Sequence, residues 1–275
     1  MPQRLISLAA LTVLDAGPAG QIRAAAEAGF GAVGLRLMPL LASDTRVVGI
    51  AANEAEIEHL LEQTGLEVLE IGVFPLKAQM DWPAIEAVID FSGRIDARFL
   101  VCPVEDTDLE RATATYVRMC DLAAADGLKA LIEFNPYSAC RSLTEAVGLV
   151  SGAIHPASGL VIDALHLSRS GGDPGDLARV PADMLDLVHL CDAPAPPPIG
   201  TLTADELRAE SRTARLLPGE GELWLDRLIE ALPPDCPISI EAPSALHAHL
   251  PAAERARRAL AATEALLDRI ARSGV

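Results

Sequence analysis

Four short apolar segments in the second half of the chain each end in a side chain that can bind a proton or a metal ion. Their sequences are Leu-Ile-Glu133, Val-Ile-Asp163, Leu-Val-His189 and Ser-Ile-Glu241. A charged group at the end of a buried strand is costly unless it has a partner or a function. One such residue would be unremarkable, but four at equivalent strand ends predict a shared site.

The pattern of strands and helices predicts an α/β fold, a (β/α)8 TIM barrel that forms a single domain over residues 1–275. Short apolar runs alternate with Ala- and Leu-rich amphipathic segments along the whole chain, as in βα units with a parallel sheet. The four polar residues end predicted strands five to eight. A doubly wound open sheet is the competing architecture, but the first βα turn, Asp15 to Gly20, lacks the GxGxxG phosphate fingerprint.

Residues at about 193–221 are predicted to form a lid-like insert between strands seven and eight. This segment opens with a proline-rich run at 194–198 and contains a predicted helix at about 204–211. The run is too short for a domain linker and lies between two halves of one βα unit, so we expect it to belong to the active site. A short helix at about 175–180 is predicted between strands six and seven.

The formal net charge of −17 bears on the partners of this chain. Nucleic acid and anionic membrane surfaces both require clustered Lys and Arg, so neither is an expected partner. The N-terminal apolar run is too short and interrupted to cross a membrane and is predicted to be the first strand. Five scattered cysteines without a CxxC pair argue against a disulfide framework and predict a cytoplasmic location.

The carboxyl ends of the strands in such a barrel meet on one face, so Glu133, Asp163, His189 and Glu241 should be neighbours. Three carboxylates in close contact repel one another, and a divalent cation resolves this conflict. Three carboxylates and one imidazole suit Mn²⁺, Mg²⁺, Co²⁺ or Zn²⁺ better than they suit a metal that prefers thiolates. The sequence therefore predicts a divalent metal site with these four ligands.

Four further residues are candidates for substrate binding. His166 follows Asp163 by three residues, and Asp192 follows His189 by three; either side chain could contact a substrate or orient a ligand. Arg215 precedes a tight Pro-Gly-rich turn, and Arg36 ends predicted strand two. Their guanidinium groups could hold a hydroxyl, a carboxylate or a phosphate of a small-molecule substrate.

These motifs resemble the xylose isomerase-like TIM barrels of the sugar-phosphate isomerase/epimerase group, which includes ketohexose 3-epimerases and 3-dehydroshikimate dehydratases. The segments that carry the resemblance are Ile132–Asn135, Asp163-x-x-His166, Val188–Asp192, Arg215–Gly221 and Ile240-Glu241. The resemblance implies the same four metal ligands, with His166 and Arg215 in contact with substrate. It also implies a homo-oligomer, either a dimer or a tetramer.

The resemblance implies isomerisation or epimerisation of a sugar, or of a sugar-like polyol or keto acid. The metal would polarise a bound carbonyl, and Glu133 and Glu241 would act as the acid/base pair that moves a proton from a neighbouring carbon. A lyase, namely a dehydratase of the 3-dehydroshikimate or inosose type, is the alternative on the same site. A non-catalytic metal-binding barrel is a further alternative. A multi-zinc DNA-repair endonuclease needs more than the six histidines present and a basic face.

Overall fold

Eight parallel strands close into a barrel in the computed structural model, which describes residues 4–40 and 44–273. Each strand pairs with its neighbour in chain order, and the last strand pairs with the first. The strands are β1 (Ile6–Leu8), β2 (Ala32–Leu35), β3 (Glu67–Gly72), β4 (Phe99–Pro103), β5 (Lys129–Glu133), β6 (Ser158–Asp163), β7 (Leu185–Leu190) and β8 (Ile238–Ile240). The predicted single-domain TIM barrel is therefore confirmed.

Helices follow the strands and cover the outside of the barrel. They are α1 (Gly17–Ala28), α2 (Ala51–Thr64), α3 (Trp82–Arg94), α4 (Leu109–Ala125), α5 (Leu143–Ala153), α6 (Ala164–Arg169), α7 (Ala204–Thr213), α8 (Leu225–Ala231) and α9 (Ala252–Ser273). Within the described ranges, none of these helices combines the length and apolar character needed to cross a membrane.

The core has two layers because successive residues of a strand point to opposite faces of the sheet. The outward side chains, such as Val33 and Leu100, pack with apolar helix residues such as Ile22 and Val88 in one large cluster. The inward side chains form a separate small cluster inside the barrel, made of Ala32, Leu69, Val101, Leu131, Val161 and Leu187. The inner cluster fills the barrel below the strand ends that carry the polar residues.

The connection from β6 to β7 differs from the prediction. The segment expected to be helical at about 175–180 is a 3-10 helix over Pro174–Arg179, closed at its start by a capping box between Asp173 and Asp176. An unpredicted helix, α6, begins directly after β6 because the Asp163 carboxylate caps it, accepting a hydrogen bond from the His166 backbone N–H at 2.8 Å. Asp163 thus ends a strand and starts a helix with no loop between them.

Candidate metal centre

Glu133, Asp163, His189 and Glu241 form one compact group at the carboxyl end of the barrel. Asp163 ends β6 and is paired in register with His189 on β7, while Glu133 ends β5 and Glu241 directly follows β8. One ligand atom from each of the four lies within 4.8 Å of the others. All four residues are buried, and Glu241 is the most exposed of them at 9%.

Two cationic groups lie among these carboxylates. The Nδ1 atom of His189 is 2.9 Å from Glu133 Oε1 and 3.6 Å from Glu241 Oε2. The buried Arg215 places its guanidinium 2.6 Å from Asp163 Oδ2 and 3.0 Å from Glu241 Oε2. The Arg215 guanidinium therefore lies among the three carboxylates and neutralises part of their negative charge.

The surroundings separate the pKa values of the three carboxyl groups. Burial raises the pKa of Glu241 to about 7, although His189 and Arg215 act in the opposite direction. Burial also acts on Asp163, but Arg215 and the neighbouring histidines outweigh it and hold the pKa of that carboxyl well below its ordinary value. The hydrogen bond and charge of His189 likewise lower the pKa of Glu133 against the effect of burial.

The carboxylates around His189 favour its protonated form when no cation is bound. Burial lowers the pKa of this imidazole, but the charges of Glu241 and Glu70 and the hydrogen bond to Glu133 together raise the pKa well above its ordinary value. A positive charge at Nδ1 therefore compensates the carboxylates in place of a metal ion. The proton must leave before that nitrogen can act as a ligand.

The donor set fits a divalent ion. Three carboxylates and one imidazole provide hard oxygen donors and one nitrogen donor, as Mn²⁺, Mg²⁺, Co²⁺ and Zn²⁺ accept. Cys191 lies beside the group, 3.3 Å from the Arg215 guanidinium. Burial raises the pKa of its thiol to about 12, so no thiolate competes at neutral pH.

A cavity of about 330 Å³ is lined by Glu133 and Glu241 and has the size of a small-molecule site. Its wall includes three of the four residues predicted to bind substrate, namely Arg36, His166 and Arg215. The His166 ring stacks edge-on against Tyr137 at 5.6 Å. Burial lowers the pKa of His166, so this imidazole is neutral and can both donate and accept a hydrogen bond.

Asp192 is not brought into this cavity wall. Its carboxylate accepts hydrogen bonds from the backbone N–H groups of Ala193, Gly219 and Leu223 at 2.9–3.0 Å. These three donors lie at the two ends of the insert. Asp192 thus attaches the insert to the end of β7. In this structural role both oxygens of its carboxylate accept hydrogen bonds.

The insert supplies wall residues that the sequence did not single out. Arg208, Ser211 and Arg212 of α7 line the cavity, and the Ser211 hydroxyl lies 2.8 Å from the Tyr137 hydroxyl. Ser211 and Arg212 follow Arg208 by three and four residues, and this helical spacing is the signal that could have shown that the three residues share one face of α7. The Glu70 carboxylate, 3.4 Å from His189 Nε2, was also missed.

Known proteins resemble this chain in sequence and in fold. Residues 22–266 match the family model described as xylose isomerase-like TIM barrel. A 3-dehydroshikimate dehydratase of Pseudomonas putida is 35% identical over 75 residues, which make up 27% of this chain and only 11% of that relative. This match therefore covers a small part of a much longer protein.

Two solved structures show the same architecture over nearly all of both chains. An IolI protein with a bound zinc atom has a TM-score of 0.78 at 17% identity, covering 96% of this chain and 98% of that one. A D-allulose 3-epimerase from Methylomonas sp., in complex with D-allulose, has a TM-score of 0.67 at 17% identity, covering 96% and 97%. At this level of identity the similarity shows the fold.

Proposed function

The chain belongs to the xylose isomerase-like TIM barrel family, and we propose that it is a divalent-metal-dependent isomerase or epimerase of a sugar, or of a sugar-like polyol or keto acid. The observation that carries the proposal is the group of three carboxylates and one imidazole within 4.8 Å, beside a cavity that two of them line. The D-allulose 3-epimerase and the zinc-containing IolI protein among the structural neighbours support this choice.

In this proposal Glu133, Asp163, His189 and Glu241 hold the ion. A divalent ion bound there would polarise a substrate carbonyl and so make the hydrogen on the neighbouring carbon more acidic. The four side chains are buried, and burial strengthens the electrostatic interactions among them and with a bound ion.

Glu133 and Glu241 are the acid/base pair, because both are carboxylates that line the cavity. One removes the proton from the carbon next to the carbonyl, and the other returns a proton to the opposite face or to the adjacent carbon. Arg215 restrains Glu241 and Asp163 through its two ion pairs. The neutral His166 is placed to exchange hydrogen bonds with a substrate hydroxyl.

A dehydratase is the second candidate, and Arg36 is the observation that favours it. The Arg36 Nε atom is buried and has no hydrogen-bond partner in residues 4–40 and 44–273. Burial lowers the pKa of Arg36, the charges of Asp44 and Glu241 act in the opposite direction, and the charge of Arg212 adds to the lowering. The cavity wall contains four arginines, and such a wall suits a carboxylate-bearing substrate, such as the one named for the Pseudomonas putida dehydratase. Proton removal by one glutamate would then be followed by loss of a hydroxyl as water.

Incubation of the Mn²⁺-loaded protein in D₂O separates the candidates. The substrates to be tested are D-allulose, other ketoses, inososes and 3-dehydroshikimate. The reaction of each substrate is followed by NMR. Deuterium in a recovered sugar or its epimer is the result expected for an isomerase or epimerase, whereas a product that has lost one molecule of water identifies a lyase. Absence of both reactions throughout this panel would count against the proposal.

Replacement of the acid/base pair tests the assigned roles. Glu133→Gln and Glu241→Gln should each lower the rate of proton exchange by at least about 100-fold at saturating Mn²⁺, because an amide cannot take up the proton. Glu105→Gln is the matched control, since Glu105 lines the same cavity but is not one of the four candidate metal ligands. Full turnover by either site variant would exclude that glutamate as acid or base.

Several further predictions of the sequence accompany this proposal. They are a dimeric or tetrameric assembly, a cytoplasmic location, the absence of nucleic-acid partners, and a lid role for residues 193–221. The contacts of α7 with the cavity wall support the last of these.

A further inference from the structure

Glu70 is a buried carboxylate inside the barrel that the proposed reaction does not use. It lies on β3 and is 3% exposed. Its Oε1 atom accepts a hydrogen bond of 2.7 Å from the Ser239 hydroxyl of β8. Gly34 is its partner on β2, and a Cβ atom there would lie 2.6 Å from Oε1. The glycine therefore leaves the space that this carboxylate occupies.

The second oxygen of Glu70 faces His189. Oε2 lies 3.4 Å from His189 Nε2, and neither atom has a hydrogen-bond partner in the part of the chain that the structure describes. The opposite ring nitrogen, Nδ1, lies 2.9 Å from Glu133 within the candidate metal group. The imidazole thus stands between Glu70 on one side and the candidate ligands on the other.

We propose that Glu70 is a positioning residue that accepts a hydrogen bond from Nε2–H of His189 and so directs the Nδ1 lone pair at the divalent ion. The inference rests on the proposed function, because it assigns Glu70 a role at the same metal site. A shift of about 0.4 Å brings the two atoms to an ordinary hydrogen-bond distance. A carboxylate behind a ligating histidine fixes the tautomer and the orientation of the ring.

The negative charge of Glu70 would attract a cation even if it did not position His189. The two effects differ in what they require. A purely electrostatic effect persists when the imidazole is removed, whereas a positioning effect disappears with it. A double-mutant cycle between Glu70 and His189 therefore separates them.

The experiment measures the Mn²⁺ dissociation constant by calorimetry for EDTA-stripped wild type, Glu70→Ala, His189→Ala and the double variant. Glu70→Ala should weaken Mn²⁺ binding by about 10–100-fold in the wild-type background. In the His189→Ala background it should change binding by less than about threefold. Glu70→Gln keeps an acceptor oxygen without the charge and should recover most of the lost affinity.

Two further variants complete the experiment, one as a control for folding and one as a second test of the position of Glu70. Glu67→Gln, an exposed glutamate on the same strand, is the matched control and should bind Mn²⁺ as the wild type does. Gly34→Ala keeps the charge of Glu70 but displaces its carboxylate, and it should weaken binding in the same direction as Glu70→Ala.

Equal losses of affinity from Glu70→Ala in both backgrounds, or a Glu70→Gln variant as weak as Glu70→Ala, would overturn the positioning role and leave the proposed function standing. Failure of the wild type to bind Mn²⁺ would instead overturn the metal chemistry, and this inference with it.

Discussion

The surroundings of His189 and Glu241 favour the protonated forms of both side chains, and a divalent ion has to displace those protons. The carboxylates around His189 outweigh its burial and raise its pKa well above the ordinary value, and burial raises the pKa of Glu241 to about 7. The affinity for Mn²⁺ should therefore fall as the pH is lowered from 8 to 6, with a slope that approaches about tenfold per pH unit for each proton released as the pH falls below the pKa of that group. Titration calorimetry in buffers of different ionisation enthalpy measures that release directly. An affinity that is constant over this range would contradict the assignment of the two residues as ligands.

The candidate ligands could be predicted from the sequence because each is a polar residue at the end of an apolar run. Glu70 could not, because it lies within a strand whose inward and outward faces depend on the register. The pairing of β2 with β3 shifts between Val33 and Gly34, and this irregularity places Glu70 inside the barrel. Asp192 follows His189 at the same spacing at which His166 follows Asp163, yet its carboxylate binds backbone N–H groups instead.

At the scale of elements, the insert is attached to α6 by one buried arginine. Arg169 donates hydrogen bonds to Glu210 of α7 at 2.6 and 2.9 Å and to the Pro194 carbonyl at 3.1 Å. One side chain thus joins both the proline-rich start of the insert and its helix to the barrel. This contact keeps α7 beside the cavity.

Glu210→Gln should loosen the insert, because it leaves the buried Arg169 without a counter-charge. We expect a loss of about 1–3 kcal/mol in the free energy of unfolding and faster proteolytic cleavage within the insert. Urea denaturation and limited proteolysis measure the two effects. Asp205→Asn is the control, since Asp205 forms an exposed ion pair with Arg208 on the same helix. Identical behaviour of the two variants would refute the anchoring role of Arg169.

The connection between β6 and β7 shows where element prediction from this sequence fails. The six residues Ala164–Arg169 contain too few turns to show a helical period. The helix exists because Asp163 caps its first turn and because all six residues are buried against the barrel. The burial is a tertiary cause that the local pattern could not reveal, whereas the cap is a local contact from Asp163, a residue that the sequence pattern indicated only as a candidate ligand.

At the scale of the whole molecule, the strict alternation of strands and helices was sufficient to predict the closed barrel. Eight apolar runs joined by helices leave few topologies, since parallel strands need crossover connections. The same alternation placed Glu133, Asp163, His189 and Glu241 on one end of the ring. The wall of the cavity was harder to foresee, because Arg208 and Arg212 reach it from an insert whose course depends on packing.

The metal content of the protein tests the central claim most directly. Wild type and Glu241→Ala would be dialysed against Mn²⁺, freed of unbound ion and analysed for metal, with Glu105→Ala as a control from the same cavity wall. The four-ligand group predicts about one ion per chain in the wild type and the control, and much less in Glu241→Ala. A wild type without metal, or a Glu241→Ala protein that retains as much as the wild type, would contradict the proposed site.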